Sequence, residues 1–358
     1  MKKFELPQDY TPYIDKYFLR AKEILIKENI NPTVKYQVFI RNGGILAGID
    51  EAIAIIQKYT KDVKIWALKE GSEISPCETI MIIEAPIQNI IDLETMILGV
   101  ISADTTVKTD GIKVDTDKVE EIMISLSSIA PDKPIAYFGA RHWRWDEDFI
   151  IANACYRGGA TSCSTDRGAG SFGQKGIGTI PHALEAIYHY TCGMDNAVVE
   201  ATRAFDRHID INVPRIALVD YANKEITDSI RVAQALKSRL YGVRIDTCGE
   251  NYMEGTNFYS HAEKGVSIEG VKKVRLALND NGFENVAIIL SSGFGNPQKL
   301  HSFIKAEKEL NMKLFDSLGI GGVYHSRMAT MDIIEVEGFD VHKIGRPARP
   351  NNKLERII

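Results

Sequence analysis

Several short stretches of this chain carry side chains whose types and spacing suit chemistry. Phe138-Gly139-Ala140-Arg141 sets an aromatic face and a guanidinium fork at the end of an apolar run, a pair that fits a flat anionic ring. Gly178-Thr179-Ile180-Pro181-His182 reads as a turn, a cap and a proline in the first helical turn. His182 then lies beside backbone N–H groups that favour an anion. Ser291-Ser292-Gly293 and Gly319-Ile320-Gly321-Gly322 each follow an apolar run, and glycine there lets backbone donors approach a phosphate closely. Arg244 and Asp246 end another such run, and Asp220 ends one more. Each has a plain structural reading beside the chemical one: a core phenylalanine, an ion-paired arginine, a histidine at a helix start, tight turns, aspartate caps. From spacing alone the structural reading of Phe138 and Arg141 is the stronger.

The elements that must position these residues fall into two rhythms. Up to about Ala130 the pattern is mixed: a helix around Lys16–Glu28, an alternating strand at Val34–Ile40, a helix at Gly48–Tyr59, a strand at Glu78–Ala85 and an amphipathic helix over Gln88–Ile101. After Pro131, short apolar runs at Ile135–Gly139, Ala160–Ser164, Ile216–Asp220, Gly242–Asp246, Val286–Ser292 and Leu314–Gly319 alternate with helix-length stretches. That alternation predicts an α/β fold with a parallel sheet and an irregular or incomplete (β/α) barrel. Chemically active residues of such barrels follow the C-terminal ends of strands, which is where the polar and glycine residues fall. The tail from Asp332 returns to short alternating stretches. The expected organisation is an α+β domain over 1–130, a barrel over 131–330 and a tail, 331–358, that rejoins the small domain.

Bulk properties narrow the classes. The 358 residues hold 43 Lys and Arg against 48 Asp and Glu, a formal charge of −5, which argues against nucleic acid as partner. The five cysteines form no Cys-x-x-Cys pair, so neither a zinc knuckle nor a disulfide framework is expected. The start, Met1-Lys2-Lys3-Phe4, lacks an apolar run after its lysines, and no stretch is long enough for a membrane span. A cytoplasmic enzyme without a resident metal is the expectation. A by-letter Rossmann spacing at Gly168–Gly173 runs on into Gln174-Lys175-Gly176 and reads as a loop.

The ordered set Phe138-Gly139-Ala140-Arg141, Gly158-Gly159, Gly178-Thr179-Ile180-Pro181-His182 resembles the nicotinate phosphoribosyltransferases, whose pattern runs Phe-Gly-x-Arg, Gly-Gly, Gly-Thr-x-x-His. Arg244-Ile245-Asp246-Thr247 is similar to the family's Arg-x-Asp-Ser, although Cys248-Gly249-Glu250 stands where Gly-Asp usually follows. Asp15-Lys16-Tyr17 resembles an Asp-x-Tyr element, and Lys343-Ile344-Gly345-Arg346 a late Lys-Arg-Gly. The resemblance implies nicotinate, phosphoribosyl pyrophosphate and ATP as ligands, with substrate-bound Mg²⁺. It implies Phe138 and Tyr17 sandwiching the pyridine ring, Arg141 orienting it, and Arg244 with the serine and glycine loops holding phosphates. Thr179 belongs to the same substrate set. His182 would be the phosphorylated residue, with Asp220 and Asp246 completing the catalytic set. Tyr17 would complete the site of a neighbouring subunit in a homodimer. Thr161 stands where nicotinamide-using relatives carry an aspartate, and its neutrality favours the acid. His142 replaces a second arginine found in many family members. A quinolinate phosphoribosyltransferase and a non-catalytic nucleotide-binding relative are the alternatives.

Overall fold

A computed structural model describes residues 4–358; the basic start Met1–Lys3, at which no secretory leader is expected, lies outside them. Two six-stranded sheets organise the chain. The first is antiparallel, in the order Phe339–Asp340, Ala329–Val336, Thr33–Ile40, Thr79–Pro86, Lys64–Ala67, Glu355–Arg356. Two neighbours in it, Thr33–Ile40 and Ala329–Val336, come from opposite ends of the sequence and pair from Val34 opposite Val336 to Ile40 opposite Ala329. The second sheet is parallel throughout, in the order Ser162–Cys163, Ile135–Tyr137, Ser317–Ile320, Ala287–Leu290, Leu240–Ile245, Arg215–Leu218.

The parallel strands are short and almost wholly buried, as in Ile288-Ile289-Leu290 and Leu318-Gly319-Ile320, because helices cover one face and the barrel interior the other. The barrel is incomplete. Its edge strands Ser162–Cys163 and Arg215–Leu218 do not pair with each other. A single extended segment crosses the seam instead: Ile177 N–H donates to the Cys163 carbonyl at 2.9 Å and Thr179 Oγ1 to the Ile216 carbonyl at 2.7 Å. The N-terminal segment is stitched to the same edge, with Lys16 N–H on the Ser164 carbonyl and a bridge between Asp15 and Thr165. The helix Lys16–Lys27 buries Tyr17, Phe18, Ala21, Ile24 and Leu25 along one stripe, the spacing of an amphipathic helix.

The stretch expected as one helix over Gln88–Ile101 is divided. A turn of helix at Ile87–Ile90 and a 3₁₀ turn at Ile91–Leu93 precede the helix Glu94–Asp110. That helix is buried on every side through Thr106, so it has no polar stripe to read. The loop after Ile135–Tyr137 presses on it closely: a Cβ at Gly99 would lie 2.3 Å from the Trp143 carbonyl oxygen. Two helices, Thr116–Ile129 and Met194–His208, add to those expected. No helix among the described residues is long and apolar enough to cross a membrane.

Candidate active site

A cavity of about 860 Å³ opens at the C-terminal ends of the parallel strands and reaches the antiparallel sheet through Tyr36, Thr330 and Asp332. The structure brings Tyr17, Phe138, Arg141, His182, Arg244 and Asp246 to its wall, and with them the stretches Ser291–Gly293 and Gly319–Gly322.

At one end lie the rings. Phe138 packs against Gly319, where a Cβ would come within 2.9 Å of the ring and 2.8 Å of Ser291 Oγ. Tyr17 stands edge-on to Phe138, ring centroids 6.4 Å apart at 70°. Tyr17 lines the cavity of its own chain, where the Asp15 bridge to Thr165 and the Lys16 N–H bond fix the helix start over the barrel seam. The pair is not a parallel sandwich, because the Tyr17 hydroxyl is tethered to Asp15 at 2.9 Å.

Arg141 is committed to acids: it bonds Glu94 at 3.0 Å and lies 3.5 Å from Asp15. Burial raises the Glu94 carboxyl to about 8 even against Arg141. Arg244 differs. It has no carboxylate within salt-bridge distance among the described residues, makes one 3.4 Å bond to the Ile180 carbonyl, and hangs 5.9 Å from the Tyr17 ring and 5.8 Å from the Phe138 ring. The free cation at the ring end is therefore Arg244 rather than Arg141.

Beside Phe138 lies a backbone cradle. Ser292 and Gly293 both take positive φ, +65° and +83°, which turns the loop after Ala287–Leu290 sharply. The buried Ser291 Oγ has no hydrogen-bond partner. Gly295, which sequence reading passed over, presses on Gly322 so closely that a Cβ would meet its carbonyl oxygen at 1.9 Å. His142 faces Gly321 and bonds Ser326 at 2.6 Å. Burial, with Arg141 and Arg41 nearby, pushes its imidazole down to about 3, so it stands as a neutral group where a guanidinium was expected in relatives.

His182, also on the cavity wall, is the first residue of the helix His182–Cys192. Pro181 occupies the cap position and offers no side-chain cap, so the helix starts one residue after the proline rather than before it. His182 Nε2 lies 3.1 Å from Asp220 Oδ1 and 3.1 Å from Lys343 Nζ. Burial and Lys343 lower the imidazole's proton affinity. Asp220 is fully buried behind it, bonded to the Lys343 ammonium through carboxylate and carbonyl. Burial opposes its charge, and Lys343 and His182 outweigh burial, holding the carboxyl below the usual carboxylate range.

Lys343 and Arg346 are cavity residues delivered by the tail. Asn251 holds the Ile344 carbonyl at 2.9 Å and Ile344 N–H reaches the Tyr221 carbonyl at 3.1 Å. The signal for both was the stretch Lys343-Ile344-Gly345-Arg346, with its resemblance to a late Lys-Arg-Gly. Asp246 lines the cavity and makes no hydrogen bond or ion pair with another described residue.

Two expected binding residues lie elsewhere. Thr161 is exposed and bonds the Ile135 carbonyl at the N-terminal end of the parallel strands, the wrong end of a barrel for chemistry. It cannot set acid against amide. Thr179 is spent on the seam bond to Ile216 and does not line the cavity. Among the described residues no group of three or more His, Cys, Asp or Glu side chains could hold a metal ion.

Residues 15–103 match the N-terminal domain of quinolinate phosphoribosyl transferase. Among curated proteins, the chain is 25% identical over 338 residues to nicotinate phosphoribosyltransferase 1 of Arabidopsis thaliana, covering 88% of this chain and 56% of that one. The chain spans about half the length of the curated relatives it matches. Its fold is that of the nicotinate phosphoribosyltransferase from Porphyromonas gingivalis, with a TM-score of 0.68 at 15% identity over 93% of this chain and 92% of that one. The enzyme of the same name from Vibrio cholerae gives 0.67 at 14% identity over 93% and 87%. A matched N-terminal domain over residues 15–103, curated relatives at 25% identity or less and a shared fold make this chain similar to the nicotinate and quinolinate phosphoribosyltransferases.

Proposed function

We propose that this chain is a nicotinate phosphoribosyltransferase, joining nicotinate to phosphoribosyl pyrophosphate and releasing nicotinate mononucleotide and pyrophosphate. The observation that carries the reading is Arg244, a guanidinium without a carboxylate partner near Tyr17 and Phe138 at a cavity whose wall also holds a serine and glycine cradle. A single free cation at the ring end fits one carboxylate. Quinolinate carries two, and Arg141 is already held by Glu94 and Asp15.

In this reading Arg244 holds the ring carboxylate and Phe138 offers its face. The Ser291 hydroxyl with the backbone of Ser292, Gly293, Gly321 and Gly322 takes the 5′-phosphate. Ring nitrogen attacks the anomeric carbon as pyrophosphate leaves, and the side chains act by positioning and by charge stabilisation. The unpaired Asp246 carboxylate fits the ribose hydroxyls or the shell of a Mg²⁺ carried mainly by substrate oxygens. When bound, that ion offsets the pyrophosphate charge. His182 would accept phosphate from ATP as co-substrate, coupling its hydrolysis to nucleotide formation. We place the enzyme in the cytoplasm, as a homodimer acting in NAD salvage.

The test is direct. Purified protein is offered nicotinate, nicotinamide or quinolinate with phosphoribosyl pyrophosphate, with and without ATP. Nicotinate consumed with ATP stimulation is the expected result, and quinolinate consumed in its place would overturn the reading.

A further inference from the structure

His142 lines the cavity and has no assigned role. Its ring edge lies against the glycine turn after Ser317–Ile320: a Cβ at Gly321 would come 3.2 Å from Nε2, and one at Gly322 would come 3.6 Å from Cε1. Two residues without side chains therefore leave that edge uncovered. Among the described residues Nε2 makes no hydrogen bond, whereas Nδ1 bonds the Ser326 hydroxyl at 2.6 Å. A second idle group faces the same stretch. Ser291 Oγ is buried without a partner and would lie 2.8 Å from a Cβ at Gly319. Two idle polar atoms beside one backbone segment, Gly319–Gly322, call for a guest that satisfies them.

Hydrogen-bond chemistry narrows the guest. Ser326 is held in place from both sides: His325 Nε2 lies 2.9 Å from Asp110, the Arg327 guanidinium bonds the same carboxylate at 2.7 and 2.8 Å, and Arg327 N–H donates to Thr106 Oγ1 at 2.8 Å. Burial, with Arg141 and Arg41 as the charged groups beside it, keeps the His142 imidazole neutral down to about 3. A neutral imidazole carries one proton, and the bond made by one nitrogen decides whether the other holds it. A serine hydroxyl rotates and can donate or accept. If Ser326 donates to Nδ1, Nε2 carries the proton and meets the turn as a donor. If Ser326 accepts, Nε2 shows a lone pair there. A phosphate dianion offers only acceptors, so it admits the first arrangement and is repelled by the second.

We propose that His142 is a substrate-binding residue whose Nε2–H donates to the phosphate seated on Ser291 and the Gly321–Gly322 turn, and that Ser326 is a positioning residue that fixes this tautomer by donating to Nδ1. A guanidinium here would add charge, whereas the imidazole adds direction alone. The inference rests on the reading of the cradle as the 5′-phosphate site, and the two fail separately. Nicotinate consumed by a protein whose His142 holds the other tautomer faults the inference alone. Ribose 5-phosphate bound through Nε2–H by a protein that leaves nicotinate unused faults the activity alone.

The experiment follows the imidazole nitrogens of the full chain by NMR, with isotope-labelled histidine, as ribose 5-phosphate is added; the His142 signals are those absent from His142→Gln. In the complex Nε2 should be protonated and Nδ1 bare throughout the range from about pH 5 to about pH 8, where an ordinary histidine titrates. Calorimetry gives a second readout. His142→Gln sets an amide N–H near the place of Nε2 and should bind ribose 5-phosphate almost as tightly as the wild type. His142→Asn, whose shorter amide matches Nδ1 instead, should bind about 10–100-fold more weakly, the range for a hydrogen bond to a charged group. Ser326→Ala should show both His142 tautomers and weaker binding. A crystal structure of the wild-type complex needs no variant to fold: a phosphate oxygen should lie about 3 Å from Nε2. A proton on Nδ1, an imidazolium, equal affinities of the Gln and Asn variants, an unchanged Ser326→Ala protein, or a phosphate out of reach of Nε2 would each overturn the assignment.

Discussion

Arg244 and Arg141 show how little a residue's type says without its partners. Both are arginines near rings, yet Arg141 is engaged by Glu94 and Asp15, while Arg244 has no carboxylate within salt-bridge distance among the described residues. Arg244→Ala should therefore lower kcat/KM for nicotinate about 10–100-fold, the range for losing a charged hydrogen bond, with the loss mainly in KM for the acid; steady-state kinetics check it. Carboxyls held neutral by burial give a second prediction. Asp148 is raised by burial to about 7 and Glu94 to about 8. A raised carboxyl contributes stability that is fully present below its unfolded value, about 4, and is lost as pH rises through the folded value. Melting temperature should thus decline from about pH 5 to about pH 8, and Asp148→Asn should flatten the slope. Asp148 and Glu94 could not be told from surface acids in the sequence, because nothing local says that a carboxylate will be covered by segments far away in the chain.

At the scale of elements, the parallel strands and their helices were legible because short apolar runs alternate with amphipathic stretches, as in Ala287–Leu290 and Pro297–Leu310. The Glu94–Asp110 helix was blurred for the opposite reason: buried on nearly every side through Thr106, it has no stripe from which its start could be read. Thr116–Ile129 carried a readable signal, the Asp115 cap that accepts from Asp117 and Lys118 N–H. Thr161 was misplaced by one strand length, since spacing does not say which end of a two-residue strand faces the mouth. Two predictions belong here. Gly295→Ala must push neighbouring loop backbones away from each other, because the Gly322 carbonyl oxygen is 1.9 Å from the new Cβ; phosphoribosyl pyrophosphate affinity should fall at least tenfold by calorimetry, while the barrel stays folded by circular dichroism. Lys343→Met strands the Asp220 charge and should cost about 3–5 kcal/mol in denaturant unfolding, much of it recovered in the double variant Asp220→Asn, Lys343→Met.

At the scale of the whole molecule, the cavity is formed where two sheets meet, and the chain supplies its walls out of order. The ring end takes Tyr17 from the first helix, the cradle takes the loops that hold Ser292 and Gly321, and the ammonium comes from the tail. Although the formal charge is −5, Arg41, Arg141, Arg244, Lys343 and Arg346 all line this one hollow. Converging cations draw anions in from solution. Capture of phosphoribosyl pyrophosphate should accordingly slow as salt is raised, measured by stopped flow, with a far weaker effect on the release of bound nucleotide.

The pairing of Thr33–Ile40 with Ala329–Val336 has a cost during synthesis. The earlier strand leaves the ribosome with an open hydrogen-bonding edge, and the partner that covers it is translated only after the whole barrel. Throughout that interval the nascent chain presents an apolar ribbon to its neighbours. A circular permutant beginning at Ala329 would make the two strands near-contemporaries, shorten their separation along the chain, and should refold faster and depend less on chaperones than the natural order.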